Sequence, residues 1–234
     1  MAPFRPVVRN RLAGSARRLG LQRVPLYQVH QPNPLVPDSV TMPGMLHLLD
    51  NGRIGAVGVS NYSLARWQAA DAALGRPVVS NQVHFSLAAP GALEDLVPFA
   101  EREGRIVMAY SPLAQGLLGG RYGVDDRPGG VRAANPLFGT ENLRRAQPLL
   151  DVLREVAAIY DAAPAQIALA WLISLPRVVI PGASSVAQVE ANAAAADITL
   201  RPEEQAALTA AARAFRPVSA VRTLAQRVRE RLPL

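Results

Sequence analysis

The run VPLYQVHQPNP, residues 24–34, reads as a strand ending on His30, an imidazole able to act as an acid–base or orienting group. Three other β-branched runs also finish in polar residues: Ser60-Asn61 in GVSNYS, Asn81-Gln82 in VSNQV, and Tyr110-Ser111-Pro112 in AYSP. In a parallel barrel these four ends would share the C-terminal face, where barrel enzymes build their sites. Each residue also has a purely structural explanation: Ser60 as a helix cap, Asn81 as a turn former, Tyr110 as a core aromatic, His30 as a satisfied buried imidazole. The 234 residues include no cysteine and no lysine, which excludes a thiolate nucleophile, a thiolate metal site and any lysine acid–base group. The three histidines are far apart in sequence, and no metal site is expected.

Five strand-like runs position these residues, beginning near Pro25, Ile54, Pro77, Arg105 and Arg177, with helix-like segments between them. That alternation predicts parallel strands joined by crossover helices. The first four starts lie 23 to 29 residues apart, close to the roughly 30 residues per unit of a (β/α)8 barrel. Ser63 before LARWQAADAAL with Gly75 after it, Ser185 before VAQVEANAAAA, and Pro164 opening PAQIALAWLISL mark helix ends. A Gly/Pro/Arg-rich loop, GGRYGVDDRPGGVRAANP, and two helical segments fill the interval between Tyr110 and Arg177. A doubly wound dinucleotide fold would need a G-x-G-x-x-G turn, and none occurs.

Half the residues are hydrophobic and 18% charged, enough for one globular domain. All 25 basic residues are arginine, so the net charge of +7 reflects the composition of a GC-rich genome more than a nucleic-acid grip. Val221, Leu224, Val228 and Leu232 recur among the C-terminal arginines and predict an amphipathic helix over 218–234. No export signal and no membrane span is indicated, which predicts a cytoplasmic protein without membrane or nucleic-acid partners.

GVSNYS, SNQVHFSL, AYSPLAQGLLGGRY and IPGASSVAQVEAN, in this order, resemble the aldo-keto reductase superfamily, in its bacterial branch with the cofactor pattern of potassium-channel β subunits. SPLAQGLL and IPGASSxxQxxxN are the specific signals, and the resemblance runs through nearly the whole chain. It implies an α/β fold of the (β/α)8 TIM-barrel type, here incomplete, with about five of eight βα units and the first three strands missing. The whole of 1–234 is then a single partial barrel domain. It also implies NADP(H) as cofactor, with NAD as the alternative, and a small aldehyde or ketone as substrate.

By that resemblance Ser60, Asn61 and Gln82 hold the nicotinamide carboxamide, and Tyr110 stacks on the ring. Ser111, Pro112, Leu113, Gln115 and Gly116 belong to the loop around the pyrophosphate, Arg121 stands where a lysine is common, and Arg132 joins from the long loop. Gly182, Ser184, Gln188 and Asn192 match the adenosine-phosphate end, while Ala191 departs from the usual glutamate. His30 matches the residue that orients and polarises the carbonyl. The family's catalytic aspartate, tyrosine and lysine come from earlier units, and a lysine-free chain supplies no such lysine. Tyr27, three residues before His30, falls on the opposite face by strand alternation, and Tyr62, Tyr122 and Tyr160 match no family position.

Three outcomes are therefore open: a reductase fragment inactive as it stands, a nucleotide-binding regulatory module, or a relic that folds poorly. Unclosed barrel edges would also favour strand pairing between copies.

Overall fold

The computed structural model describes residues 5–174 and 177–218, and the helix expected over 218–234 lies outside them beyond Val218. In chain order the described elements are α1 (Arg5–Leu19), β1 (Val24–Val29), α2 (Asp38–Asp50), β2 (Ile54–Ser60), α3 (Leu64–Leu74), β3 (Ser80–His84), α4 (Leu96–Arg102), β4 (Ile106–Tyr110), α5 (Thr140–Ile159), α6 (Pro164–Ile173), β5 (Arg177–Ile180), α7 (Val186–Ala194) and α8 (Pro202–Ala214). The strands form one five-stranded sheet in the order β1-β2-β3-β4-β5. β1 and β2 run parallel with Gln28 opposite Gly58, and β2 and β3 run parallel with Gly58 opposite Ser80 and Ser60 opposite Gln82. All five expected strands are present, though β3 begins three residues after Pro77, the Val78 N–H being taken by the Asp71 carboxylate at 2.7 Å.

The described residues divide into two compact units, 5–84 with 91–108, and 85–90 with 109–218. In the first, β2 is buried along most of its length, α2 packs against both β2 and α3, and α3 buries Trp67, Ala70 and Leu74. The predicted caps of α3 form: the Ser63 hydroxyl accepts from the Arg66 N–H at 3.3 Å, and Gly75 takes a left-handed φ of 71° while donating to the Asp71 carbonyl. The Trp67 indole donates to the Val78 carbonyl at 2.9 Å and meets Phe99 edge-on at 5.2 Å between centroids.

In the second unit α5 turns Leu143, Ala146, Leu150, Leu153 and Ala157 inward at helical spacing. α6 is buried from Ile167 to Leu172, and its Trp171 indole donates to the Thr209 hydroxyl of α8 at 3.0 Å. Glu204, with a side chain only 5% exposed, receives hydrogen bonds from the Arg201 guanidinium, the Arg201 backbone N–H and the Tyr160 hydroxyl. Burial pushes the Glu204 carboxyl upward, but these donors outweigh it and hold the group below its ordinary value of 4.5. Such a group stabilises the fold fully above 4.5 and loses that contribution as the pH falls through its depressed value. Glu204→Gln should therefore melt below the wild type at about pH 6, and the gap should close on acidification. Melting curves across that range check it, and a gap that widens toward acid would refute the assignment.

Among the described residues no single helix is long and apolar enough to cross a membrane.

Candidate active site

The polar strand ends are arranged separately in each unit. In the first, Ser60 closes β2, still extended, and its hydroxyl donates to the Gln82 carbonyl at 2.9 Å. It caps no helix, since that position belongs to Ser63 three residues on. Asn61 follows with a left-handed φ of 61°, its N–H donating to the same Gln82 carbonyl at 2.8 Å and its Nδ2 to the Ser60 hydroxyl at 3.1 Å.

Asn81 is not a turn residue. It lies within β3, fully buried, where its Nδ2 donates to the Tyr62 carbonyl at 2.8 Å and its Oδ1 accepts from the Tyr62 N–H at 3.4 Å. Asn81 and Gln82 thus clasp the backbone on both sides of Asn61, which holds a conformation that an isolated non-glycine residue rarely adopts.

His30 follows the last residue of β1 and is exposed, so it is not the satisfied core imidazole of the structural alternative. The loop after it is tied down. Asn33 Oδ1 accepts from the Leu35 and Val36 N–H groups at 2.8 and 3.2 Å, and Arg66 donates to the Asn33 carbonyl at 3.2 Å. Arg66 also pairs with Asp38 at 2.9 Å, and the Tyr62 hydroxyl donates to Asp38 at 2.6 Å. Burial, reinforced by the bond to Asp38 and its charge, pushes the Tyr62 phenol far above its ordinary value, and its hydroxyl braces the loop through Asp38. The sequence offered no sign of this triad, because its members are joined only by the packing of α2 against α3.

In the second unit, Tyr110 ends β4 half-buried, its carbonyl accepting from the Phe85 N–H at 3.3 Å. It is not the fully enclosed core aromatic of the structural alternative. Ser111 then takes a φ of 52°, Pro112 is buried, and Leu113 with a φ of −98° leads into Ala114, Gln115 and Gly116 at 48°, 58° and 100°. A right-handed residue followed by a left-handed one turns successive N–H groups to one side, the arrangement of an anion-binding concavity. The loop is held from outside itself: Asn135 donates to Gln115 Oε1 at 3.0 Å, and Arg154 donates to the Gly120 carbonyl at 3.4 Å. A Cβ on Gly116 would lie 3.3 Å from the Tyr122 ring. Arg121 is exposed with its guanidinium 5.9 Å over the Tyr122 ring, and Arg132 is exposed in a turn of the long loop.

At the other end of this unit the Ser184 N–H and hydroxyl donate to Gln188 Oε1 at 2.7 and 3.1 Å, and the Ser185 hydroxyl caps α7 by accepting from the Gln188 N–H. Gly182 has nothing within 4 Å of where a Cβ would stand. Asn192 is half-buried and joins Leu169, Ile173 and Val189 along a groove of about 350 Å³.

Among the described residues five non-glycine positions have positive φ: Asn61, Ser111, Ala114, Gln115 and Asp161. Four of them fall on the strand-end turn and loop singled out from the sequence, and backbone strain of this kind gathers at ligand-holding sites.

The model of the aldo/keto reductase family matches residues 5–213. An uncharacterized oxidoreductase of Mycobacterium bovis is 72% identical over 233 residues, covering 99% of this chain and 72% of that protein. Among solved structures, an aldo/keto reductase from Klebsiella pneumoniae in complex with NADP and acetate is 30% identical with a TM-score of 0.63, over 89% of this chain and 64% of that one. The glycerol dehydrogenase AKR11B4 of Gluconobacter oxydans, 24% identical, shares the fold with a TM-score of 0.82 over 91% of this chain and 66% of its own. This chain therefore belongs to the aldo/keto reductase family, a family of oxidoreductases. It spans less than two thirds of either solved structure's length.

Proposed function

We propose that this chain carries the NADP(H)-binding wall and the carbonyl-orienting histidine of a cytoplasmic reductase for small aldehydes or ketones. The observation that carries this is the left-handed backbone at Asn61, Ser111, Ala114 and Gln115, each turn pinned by neighbouring side chains. It fits a nicotinamide dinucleotide, because Ser60, Asn61 and Gln82 offer donors and acceptors to a carboxamide while the 111–116 loop offers backbone N–H groups to phosphate. Arg121, Ser184 and Gln188 add polar groups for the phosphates and the adenosine, and Asn192 stands beside them on α7. When bound, the cofactor supplies the hydride. The Klebsiella relative, solved with NADP, supports the phosphorylated form, and NAD remains the alternative cofactor.

In this reading His30 donates a hydrogen bond to the substrate carbonyl and holds it in place. The proton must come from a tyrosine whose acidity a lysine supports, and this sequence contains no lysine. The five strands described are then part of an eight-stranded barrel, and the three remaining βα units supply the proton donor. The chain alone binds cofactor and turns nothing over.

Titrating the purified chain with NADPH tests the first half, with saturable binding and no carbonyl-dependent oxidation expected. Joining to it the part of the Mycobacterium bovis relative that it does not cover should bring turnover. Absence of binding at any concentration would sink the proposal. Binding with no turnover in the extended protein would leave a nucleotide-binding module.

A further inference from the structure

The side chain of Gln28 allows one more step, which rests on the cofactor reading above. Gln28 lies within β1, two residues before His30, which follows the strand. Across the sheet it is in register with Gly58, which is in register with Ser80. A Cβ at position 58 would fall 2.4 Å from the Ser80 hydroxyl and 2.9 Å from Gln28 Cγ, so only glycine lets the side chains of β1 and β3 meet across β2.

They do meet there. Gln28 Nε2 lies 3.2 Å from Ser80 Oγ, 3.4 Å from the Val59 carbonyl and 3.5 Å from Met108 Sδ, all able to accept. On its other side Gln28 Oε1 accepts from Gln82 Nε2 at 3.3 Å. Exchanging the ends of the Gln28 amide would set its oxygen against the Val59 carbonyl and its NH2 against the NH2 of Gln82. The polarity is therefore fixed by the row of partners.

This fixes Gln82 in turn. With its Nε2 directed at Gln28, its Oε1 is the end turned away, and an acceptor is what the N–H of a carboxamide requires. We propose that Gln28 is a positioning residue, which through the Ser80 and Gly58 row sets the polarity of the Gln82 amide so that Oε1 receives the nicotinamide carboxamide N–H.

The test uses the 234-residue chain and three probes: NADP+, its 3-acetylpyridine analogue, which has no carboxamide N–H, and 2′,5′-ADP, which has no nicotinamide. Wild type should prefer NADP+ over the analogue by about five- to tenfold, the worth of one net hydrogen bond. Gln28→Met, similar in shape but offering Gln82 no oxygen, should bring that ratio close to one with 2′,5′-ADP affinity unchanged. Gln28→Glu, which keeps an acceptor for Gln82, should retain the preference.

A preference that survives in Gln28→Met, or one lost equally in Gln28→Glu, overturns the assignment. If Gln28→Met does not melt cooperatively, Ser80→Ala decides in its place, since it removes the acceptor that pins the Gln28 amide and should lower the same ratio. Wild type that fails to bind even 2′,5′-ADP overturns the cofactor reading itself, and this inference with it.

Discussion

Trp67→Ala should destabilise the first unit by about 3–5 kcal/mol, the range for deleting a fully buried aromatic ring. Trp67 is completely enclosed, and its neighbours leave little room to collapse into the vacated volume. Phe99 meets the ring edge-on from α4, and Arg105, paired with Asp71, stands with its guanidinium 6.0 Å from the ring centre. The Val78 carbonyl would lose the indole N–H as well. Asp71 ties this cluster to the start of β3 by accepting from the Val78 N–H at 2.7 Å, so damage here reaches the strand that carries Asn81 and Gln82. Urea unfolding followed by far-ultraviolet circular dichroism measures the loss. In this variant the fluorescence of the one remaining tryptophan, Trp171, reports on the second unit. A shift below about 1 kcal/mol would mean that the cavity heals and that Trp67 does not organise the layer.

His30→Ala in the extended, active protein should lower kcat/KM for carbonyl reduction by about 10²–10⁴, the range for a positioned acid–base group. NADPH affinity should hardly change, because His30 is assigned to the substrate and not to the cofactor. Its position supports the effect: the imidazole is exposed at the end of β1, and the loop behind it is anchored through Asn33, Arg66, Asp38 and Tyr62. Steady-state rates with a simple aldehyde and a separate NADPH titration check it. Unchanged kcat/KM would remove His30 from the chemistry, and a parallel loss of NADPH affinity would assign it to the cofactor wall.

The strands and their polar ends were legible in the sequence because they depend on local order. β-Branched runs, a serine before a helix, and a glycine after one act within a few residues of themselves. The fate of each polar residue was not so local. Ser60 and Asn81 were open to ordinary roles as cap and turn former, and those explanations failed because the register of β2 on β3 sets Val59 opposite Asn81 and Ser60 opposite Gln82. The side chains then find partners 19 to 22 residues away.

The same limit hid Gln28, Asp38 and Arg66. Gln28 read as one polar letter in an apolar strand, and its meaning depends on Gly58 and Ser80 standing in line with it on two other strands. Asp38 and Arg66 are 28 residues apart and meet only because α2 packs on α3. The 111–116 loop was legible only through the family resemblance, and left-handed φ at Ser111, Ala114 and Gln115 could not be inferred from residues that ordinarily avoid it.

By itself the sequence determined the alternation of elements, the family, the absence of any lysine for proton transfer, and the residue types at each strand end. The tertiary structure alone decided which of those residues touch, which backbone turns are held left-handed, and which end of each amide faces its neighbour. Those properties depend on register between strands and on packing between helices, and both bring together residues that no local period relates.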